Sequence, residues 1–296
     1  MLPASYAPLI APLLPPVRLW RIAAGVLVIA TAYFLWNLGL GVLLWWVEGL
    51  DGMDSRLRTM AAGSDPLAMM LLFSTFIGGF LGVWLAMRLL HRRPMGVLLG
   101  RAPAVLRDFA LGVGMMVVVG GGLSVLMLPM LPDLVLTPDT DLWLLILPLA
   151  LLGVLIQTGA EEVVFRGYLQ GQLAARFAAP LVWMGVPTVL FGLAHYSPEA
   201  MGENTWLVVL ATGLFGLIAS DLTARSGSLG LAWGLHFANN VMAILIVSLS
   251  GTLDGLALLR PAAGAMAADH LQPLLFADIA LLVIVWMACR IWLRRR

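Results

Sequence analysis

Eight stretches of this chain are each apolar enough and long enough to cross a bilayer, which takes about 20 residues of helix for roughly 30 Å of hydrocarbon. They cover 22–47, 66–90, 109–131, 143–166, 181–199, 205–224, 228–249 and 272–293. Lipid offers the backbone no hydrogen-bond partner, so a spanning run of this kind must satisfy itself, and it does so as a helix. Composition agrees. Hydrophobic residues make up 61% of the chain and charged residues 11%, whereas an ordinary soluble domain carries about 25% charge. The expected fold is therefore all-α, a polytopic transmembrane bundle of about eight spans.

Charge placement sets the expected orientation. Every lysine-or-arginine position is Arg. Arg18 and Arg21 precede the first span, and Arg88, Arg92, Arg93, Arg101 and Arg107 lie between the second and third. Arg166 and Arg176 follow the fourth, Arg225 follows the sixth, and Arg290, Arg294, Arg295 and Arg296 close the chain. With eight spans these segments share one side, which the positive-inside rule makes cytoplasmic, with both termini there. Arg56, Arg58 and Arg260 fall on the other side as exceptions.

The reading is of one membrane domain over 22–293, after a cytoplasmic N-terminal segment (1–21) and before a basic tail (294–296). Pro3, Pro8, Pro12, Pro15 and Pro16 are expected to break any early helix. No basic region opens the N-terminus before its own first apolar stretch, so it does not read as a cleavable signal, and the first clear span, after Arg18 and Arg21, is expected to be retained. The fourth span is expected to continue as helix toward Arg176, and 91–108 reads as an interfacial helix with a basic face. Cys289 stands without a second cysteine, which excludes an intrachain disulfide, and no His or acid beside it suggests catalysis. Nothing points to a nucleic-acid partner. The expected home is the bacterial inner membrane.

Ionisable residues inside spans cost about 2.5–3.5 kcal/mol each at the bilayer centre, so each is a functional-site hypothesis. Three clusters qualify. In Glu161-Glu162-Val163-Val164-Phe165-Arg166, Glu162 and Arg166 are four apart and can pair along one helix face. Glu161 points about 100° away, on the face of Gln157 and Phe165, free to meet a polar cavity. In Phe191-Gly192-Leu193-Ala194-His195, Phe191 and His195 share a face. In His236-Phe237-Ala238-Asn239-Asn240, His236 and Asn240 share a face, and Gly227, Gly230 and Gly234 permit close approach by a neighbouring helix. His91 and His270 fall in expected loops and read as incidental. Counting from the start of the fifth span puts His195 deeper than His236 or Glu161, so tilt or displaced helices are needed to join them.

These three clusters, in this order, resemble the signature of the CPBP family, the type II CAAX proteases and bacteriocin-processing or self-immunity (ABI) membrane proteins: Glu-Glu-x-x-x-Arg, Phe-x-x-x-His and His-x-x-x-Asn or Asp. The resemblance covers about residues 143–245. It implies a helical bundle around a water-filled polar cavity open to the cytoplasm, and hydrolysis of a peptide bond in a peptide or protein substrate at the membrane. By that similarity Glu161 is the general base with His195, and His236 and Asn240 stabilise the oxyanion. Glu162, Arg166 and Phe191 support them. A metal-free mechanism is the reading taken; the alternative is zinc held by Glu161, His195 and His236 in a site of two imidazoles and a carboxylate. Two rival functions keep the helices but not the hydrolysis. One is an immunity or scaffold protein; the other is a transporter using Glu161 and the histidines as a proton relay.

Overall fold

The structure, a computed structural model, describes residues 3–126, 129, 131, 133–137, 139–248, 253–262 and 268–295. In chain order its helices are α1 (Ala4–Leu13), α2 (Leu19–Ala62), α3 (Pro66–His91), α4 (Ala102–Leu126), α5 (Thr140–Arg176), α6 (Leu181–Leu193), α7 (Pro198–Ser226), α8 (Gly230–Ile246) and α9 (Ala268–Arg294). Strands β1 (Leu134–Leu136) and β2 (Leu259–Pro261) form a short antiparallel pair with Val135 opposite Arg260. Every expected span coincides with a helix. Six of them, α2, α3, α4, α5, α7 and α9, are long and apolar enough to cross a membrane, while α6 and α8 are shorter apolar helices of 10–17 residues. The chain is an integral membrane protein with a polytopic helical fold. Expected span ends at 127–128, 130 and 249, together with Arg296 of the basic tail, lie outside the described residues.

Local chemistry sets the helix limits. The Asp65 carboxylate accepts the Ala68 N–H at 2.8 Å at the start of α3, and Asp139 does the same for Leu142 at 2.8 Å at the start of α5. Each pairs a donor that the helix leaves free. At their C-terminal ends α2 and α7 stop at Gly63 (φ 60°) and Gly227 (φ 73°), in left-handed conformations that glycine adopts without strain. Gly227 thus caps α7 and does not lie on α8. Trp20 and Trp45 on α2 are both more than half exposed. They stand about 37 Å apart at 1.5 Å per residue, close to the separation of the two interfaces of a bilayer.

The structure corrects three local expectations. The N-terminal prolines do not prevent helix: Pro8 and Pro12 occupy first-turn positions, where the missing N–H would be unpaired in any case. The segment is also part of the core, with Tyr6 fully buried and its ring 5.5 Å from that of Trp183. Residues 91–108 do not form one interfacial helix. Arg92 (φ 56°) and Gly100 (φ 97°) turn the backbone, a short 3₁₀ turn covers Met95–Leu98, and α4 begins at Ala102. His91 is no loop residue; it ends α3, buried, 2.8 Å from the Tyr168 hydroxyl. His270 falls in the first turn of α9 rather than in a loop. The three exceptional arginines each stand beside a carboxylate: Arg56 with Glu48, Arg58 with Asp54 and Arg260 with Asp254.

Packing within the bundle depends on glycine where helices cross. A Cβ on Gly234 would lie 2.1 Å from the Phe109 carbonyl oxygen, and one on Gly230 2.1 Å from that of Val105. From the other side, a Cβ on Gly112 would lie 2.5 Å from the Leu231 carbonyl oxygen. Helices α4 and α8 therefore touch backbone to backbone, the small-residue packing that membrane bundles use in place of a hydrophobic driving force. Gly234→Ala is expected to destabilise the protein by about 1–3 kcal/mol through overpacking. Gly114→Ala, on the open side of α4 with nothing within 4 Å, should leave stability unchanged or slightly raised. Thermal unfolding of the two variants in detergent checks the contrast.

Candidate active site

The fourth span continues as helix to Arg176, and that extension reconciles the depths of the first two motifs. Helix α6 starts at Leu181, directly after the end of α5. Measured from this joint at 1.5 Å per residue, Glu161 and His195 both lie roughly 20 Å along the chain axis. His195 sits in the turn that follows α6, its N–H bonded to the Gly192 carbonyl. The expected mismatch in depth came from ending the fourth span at 166.

Helix α5 widens to π geometry over Val163–Gln170, directly after the two glutamates. Such wide turns occur frequently at functional sites. Glu162 is completely buried and Arg166 nearly so, with Nη1 of Arg166 3.3 Å from Oε1 of Glu162. The guanidinium lies 4.2 Å above the Phe191 ring and within 6 Å of the Phe165 and Phe215 rings. None of its nitrogens makes a hydrogen bond with a described residue, so ion pairing and aromatic faces hold it. Gly216 leaves the room: a Cβ there would stand 3.4 Å from Nη2 of Arg166.

Helix α8 reaches the same point from the other side. Gly159 would meet the Trp233 ring at 2.9 Å if it carried a Cβ, and the Trp233 indole N–H donates to the Thr158 hydroxyl at 3.2 Å. This close seating places Nδ1 of His236 2.8 Å from Oε1 of Glu162 and Nε2 3.4 Å from Oε2 of Glu161. His236 therefore bridges the two glutamates. The Asn240 amide donates to the Gln157 side chain at 2.9 Å. His195 Nδ1 stands 2.8 Å from the Phe191 carbonyl oxygen, a contact in which the ring donates and its Nε2 is left as an acceptor.

Gln157, Glu161, His195, His236, Asn239 and Asn240 all line one cavity of about 1090 Å³. Its remaining walls are mostly apolar, from α2, α3, α5 and α7, among them Ile29, Tyr33, Phe73, Phe76 and Phe215. The expected polar cavity is thus a polar patch in a greasy chamber. Glu162 and Arg166 stay behind its surface. The structure joins Glu161, Glu162, Arg166 and His236 directly, whereas His195 and Asn240 share the cavity but bond elsewhere. Two lining residues had drawn no attention in the sequence. Phe215, with its ring 4.8 Å from His236, is one aromatic among many and carries no sequence signal. Asp278 on α9 carries one, since an acid within an apolar run is itself unusual.

The donor set bears on metal binding. Glu161 Oε2 and His236 Nε2 are 3.4 Å apart, a spacing that two tetrahedral zinc ligands also show at bond lengths of about 2.0–2.1 Å. His195 does not complete them. Among the described residues no group of three or more His, Cys, Asp or Glu side chains is arranged to hold a metal ion. As arranged, these residues do not fit a three-ligand zinc site.

A helical membrane bundle with a glutamate–histidine cluster facing an internal cavity defines the class. Residues 142–242 match the family model described as type II CAAX prenyl endopeptidase Rce1-like, and all three motifs fall within that range. Over that range the chain is similar to this family, a likeness that supports a membrane peptidase, a hydrolase, at the level of the family. The chain is also similar to YyaK of Bacillus subtilis (strain 168), an uncharacterized protein, at 27% identity over 250 residues, covering 80% of this chain and 81% of the relative. No solved structure matches.

Breaking a buried ion pair from one side leaves an uncompensated charge and costs about 3–5 kcal/mol. Arg166→Met should lower the melting temperature in detergent by that scale of destabilisation. Adding Glu162→Gln in the same chain should recover part of it, because the stranded charge is then gone.

Proposed function

We propose that this chain is an intramembrane endopeptidase that hydrolyses a peptide bond in a membrane-associated peptide or protein, using water activated by Glu161 and His195. The observation that carries the reading is the bridge from Glu162 through His236 to Glu161 at the wall of the cavity. When Nδ1–H of His236 is given to Glu162, Nε2 becomes the atom that exchanges a proton with Glu161. With that proton on Nε2, the pair presents a carboxylate base on Glu161 and an N–H donor on His236 to the cavity together. Glu161 takes the proton of the attacking water, and the neutral Nε2 of His195 orients that water as a hydrogen-bond acceptor.

Attack produces a tetrahedral oxyanion. His236 Nε2–H and the second amide hydrogen of Asn240, the one not given to Gln157, are the donors proposed for it. As the C–N bond breaks, the proton held by Glu161 passes to the leaving amine. Glu162 and Arg166 remain outside the chemistry; they hold His236 and the aromatic shelf of Phe191. The apolar walls exclude bulk water and suit an apolar substrate segment. The mechanism proposed is metal-free, supported by the two-ligand donor set. The protein is proposed to lie in a bacterial cell membrane with both termini cytoplasmic, which the arginine distribution supports.

Cleavage of an unbiased peptide library by the purified full chain in detergent tests this function. Glu161→Ala, His195→Ala and His236→Ala are each expected to lower the rate by about 10²–10⁴-fold, the usual weight of a positioned acid or base. Asn240→Ala is expected to lower it by about 10²–10³-fold, as for loss of one oxyanion donor. Wild-type rates should survive exhaustive chelation. Equal activity in wild type and all four variants would remove the site. Activity lost on chelation and restored by zinc would replace the metal-free mechanism.

A further inference from the structure

Acids buried or half-buried within the described helices are almost all accounted for by partners. Glu161 and Glu162 share His236, and Glu162 also has Arg166. Asp108 accepts from the Ser228 hydroxyl at 2.7 Å and from Arg107 at 3.0 Å. Asp221 on α7 accepts from Arg225 at 2.7 Å and from the Trp286 indole at 2.9 Å, with Arg290 of α9 3.7 Å away. Asp278 on α9 is the exception. It makes no hydrogen bond or ion pair with any described residue, yet it stands well inside the helix and lines the cavity that holds Glu161 and His195.

A structural role does not account for it. The link between α7 and α9 already exists one end further along, through Asp221, Trp286 and Arg290, and Asp278 adds nothing to that clamp. An unpaired carboxylate at such a depth is costly, and it persists in membrane proteins where it faces a cavity and meets a ligand. The other charges of the cavity wall define that ligand. Among the described residues no Arg lines the chamber, Glu161 has His236 3.4 Å away, and the Asp278 carboxylate is left without a counterpart. The chamber is therefore short of one cation, and the complementary group is a positive one.

We propose that Asp278 is a specificity residue that holds a cationic group of the substrate, an arginine or lysine side chain or a free amine, against the α7–α9 wall of the cavity. The proposal rests on the hydrolase reading for its biological meaning, but the binding it asserts is measurable without turnover.

The test uses fluorescent decapeptides of otherwise identical apolar sequence carrying lysine, norleucine or glutamate at one central position, titrated onto the full chain in detergent at low salt. Wild type is expected to bind the lysine peptide at least about tenfold more tightly than the norleucine peptide, the scale of one charge-assisted hydrogen bond. Asp278→Asn, which keeps the shape of the side chain, should bring that ratio close to one. Asp278→Glu should retain it, and Asp278→Arg should shift preference to the glutamate peptide. Equal binding of the lysine and norleucine peptides by wild type, or an unchanged ratio in Asp278→Asn, would overturn the proposal. If lysine preference is present and depends on Asp278 while no peptide is cleaved, the peptidase reading fails and the cation site stands. Cleavage without lysine preference removes the cation site and leaves the peptidase reading in place.

Discussion

The Glu162–Arg166 pair is the interaction on which the rest of the site depends. Both groups are buried in the bundle, where several kcal/mol of desolvation per ion must be offset. The offset comes from four helices at once. Helix α5 supplies both charges, α8 brings His236 to the carboxylate, and α6 and α7 bring the Phe191 and Phe215 rings to the guanidinium. Moving any one of them would strand a charge. The pair therefore acts as a registration point for the helices that carry the three motifs.

Glycine makes this registration geometrically available. Gly159 lets Trp233 and hence His236 approach α5, and Gly216 leaves space for the guanidinium. Gly192 lets α6 cross α7, where a Cβ would stand 2.8 Å from the Val209 carbonyl oxygen. The glycine inside the Phe191–His195 motif thus serves packing, while its two named ends line the cavity. Close crossings matter more in lipid than in water, because tight van der Waals fit replaces the hydrophobic drive that lipid does not supply.

The proposed chemistry sits at the boundary between this rigid network and the cavity. Glu161 and His236 face the chamber, while Glu162 and Arg166 fix them from behind. A polar patch in apolar walls keeps its donors and acceptors oriented, and electrostatic interactions there act at lower dielectric than in water. The neighbouring apolar surface is continuous with helices α2 and α3, so the same chamber can meet an apolar substrate segment. The organisation is one of a preset polar edge and a permissive hydrophobic volume.

Helix positions and the three motif faces were legible in the sequence because both follow from simple periods: about twenty apolar residues per span and four residues per helical neighbour. The Glu162–Arg166 pair could be read that way, since both partners lie on one helix. Partners on different helices could not. That His236 bridges both glutamates, that Asn240 is engaged by Gln157, and that His195 bonds the Phe191 carbonyl were decided by interhelical packing. Hydropathy also overstated the uniformity of the spans, because α6 and α8 are shorter than the bilayer-length helices around them. The buried ionisable residues marked candidates for a site from sequence alone, since charge inside apolar runs is costly. Which of them face the cavity, and which stand behind it, is set by the crossing of helices whose contacts are distant along the chain, and only the tertiary structure decides that.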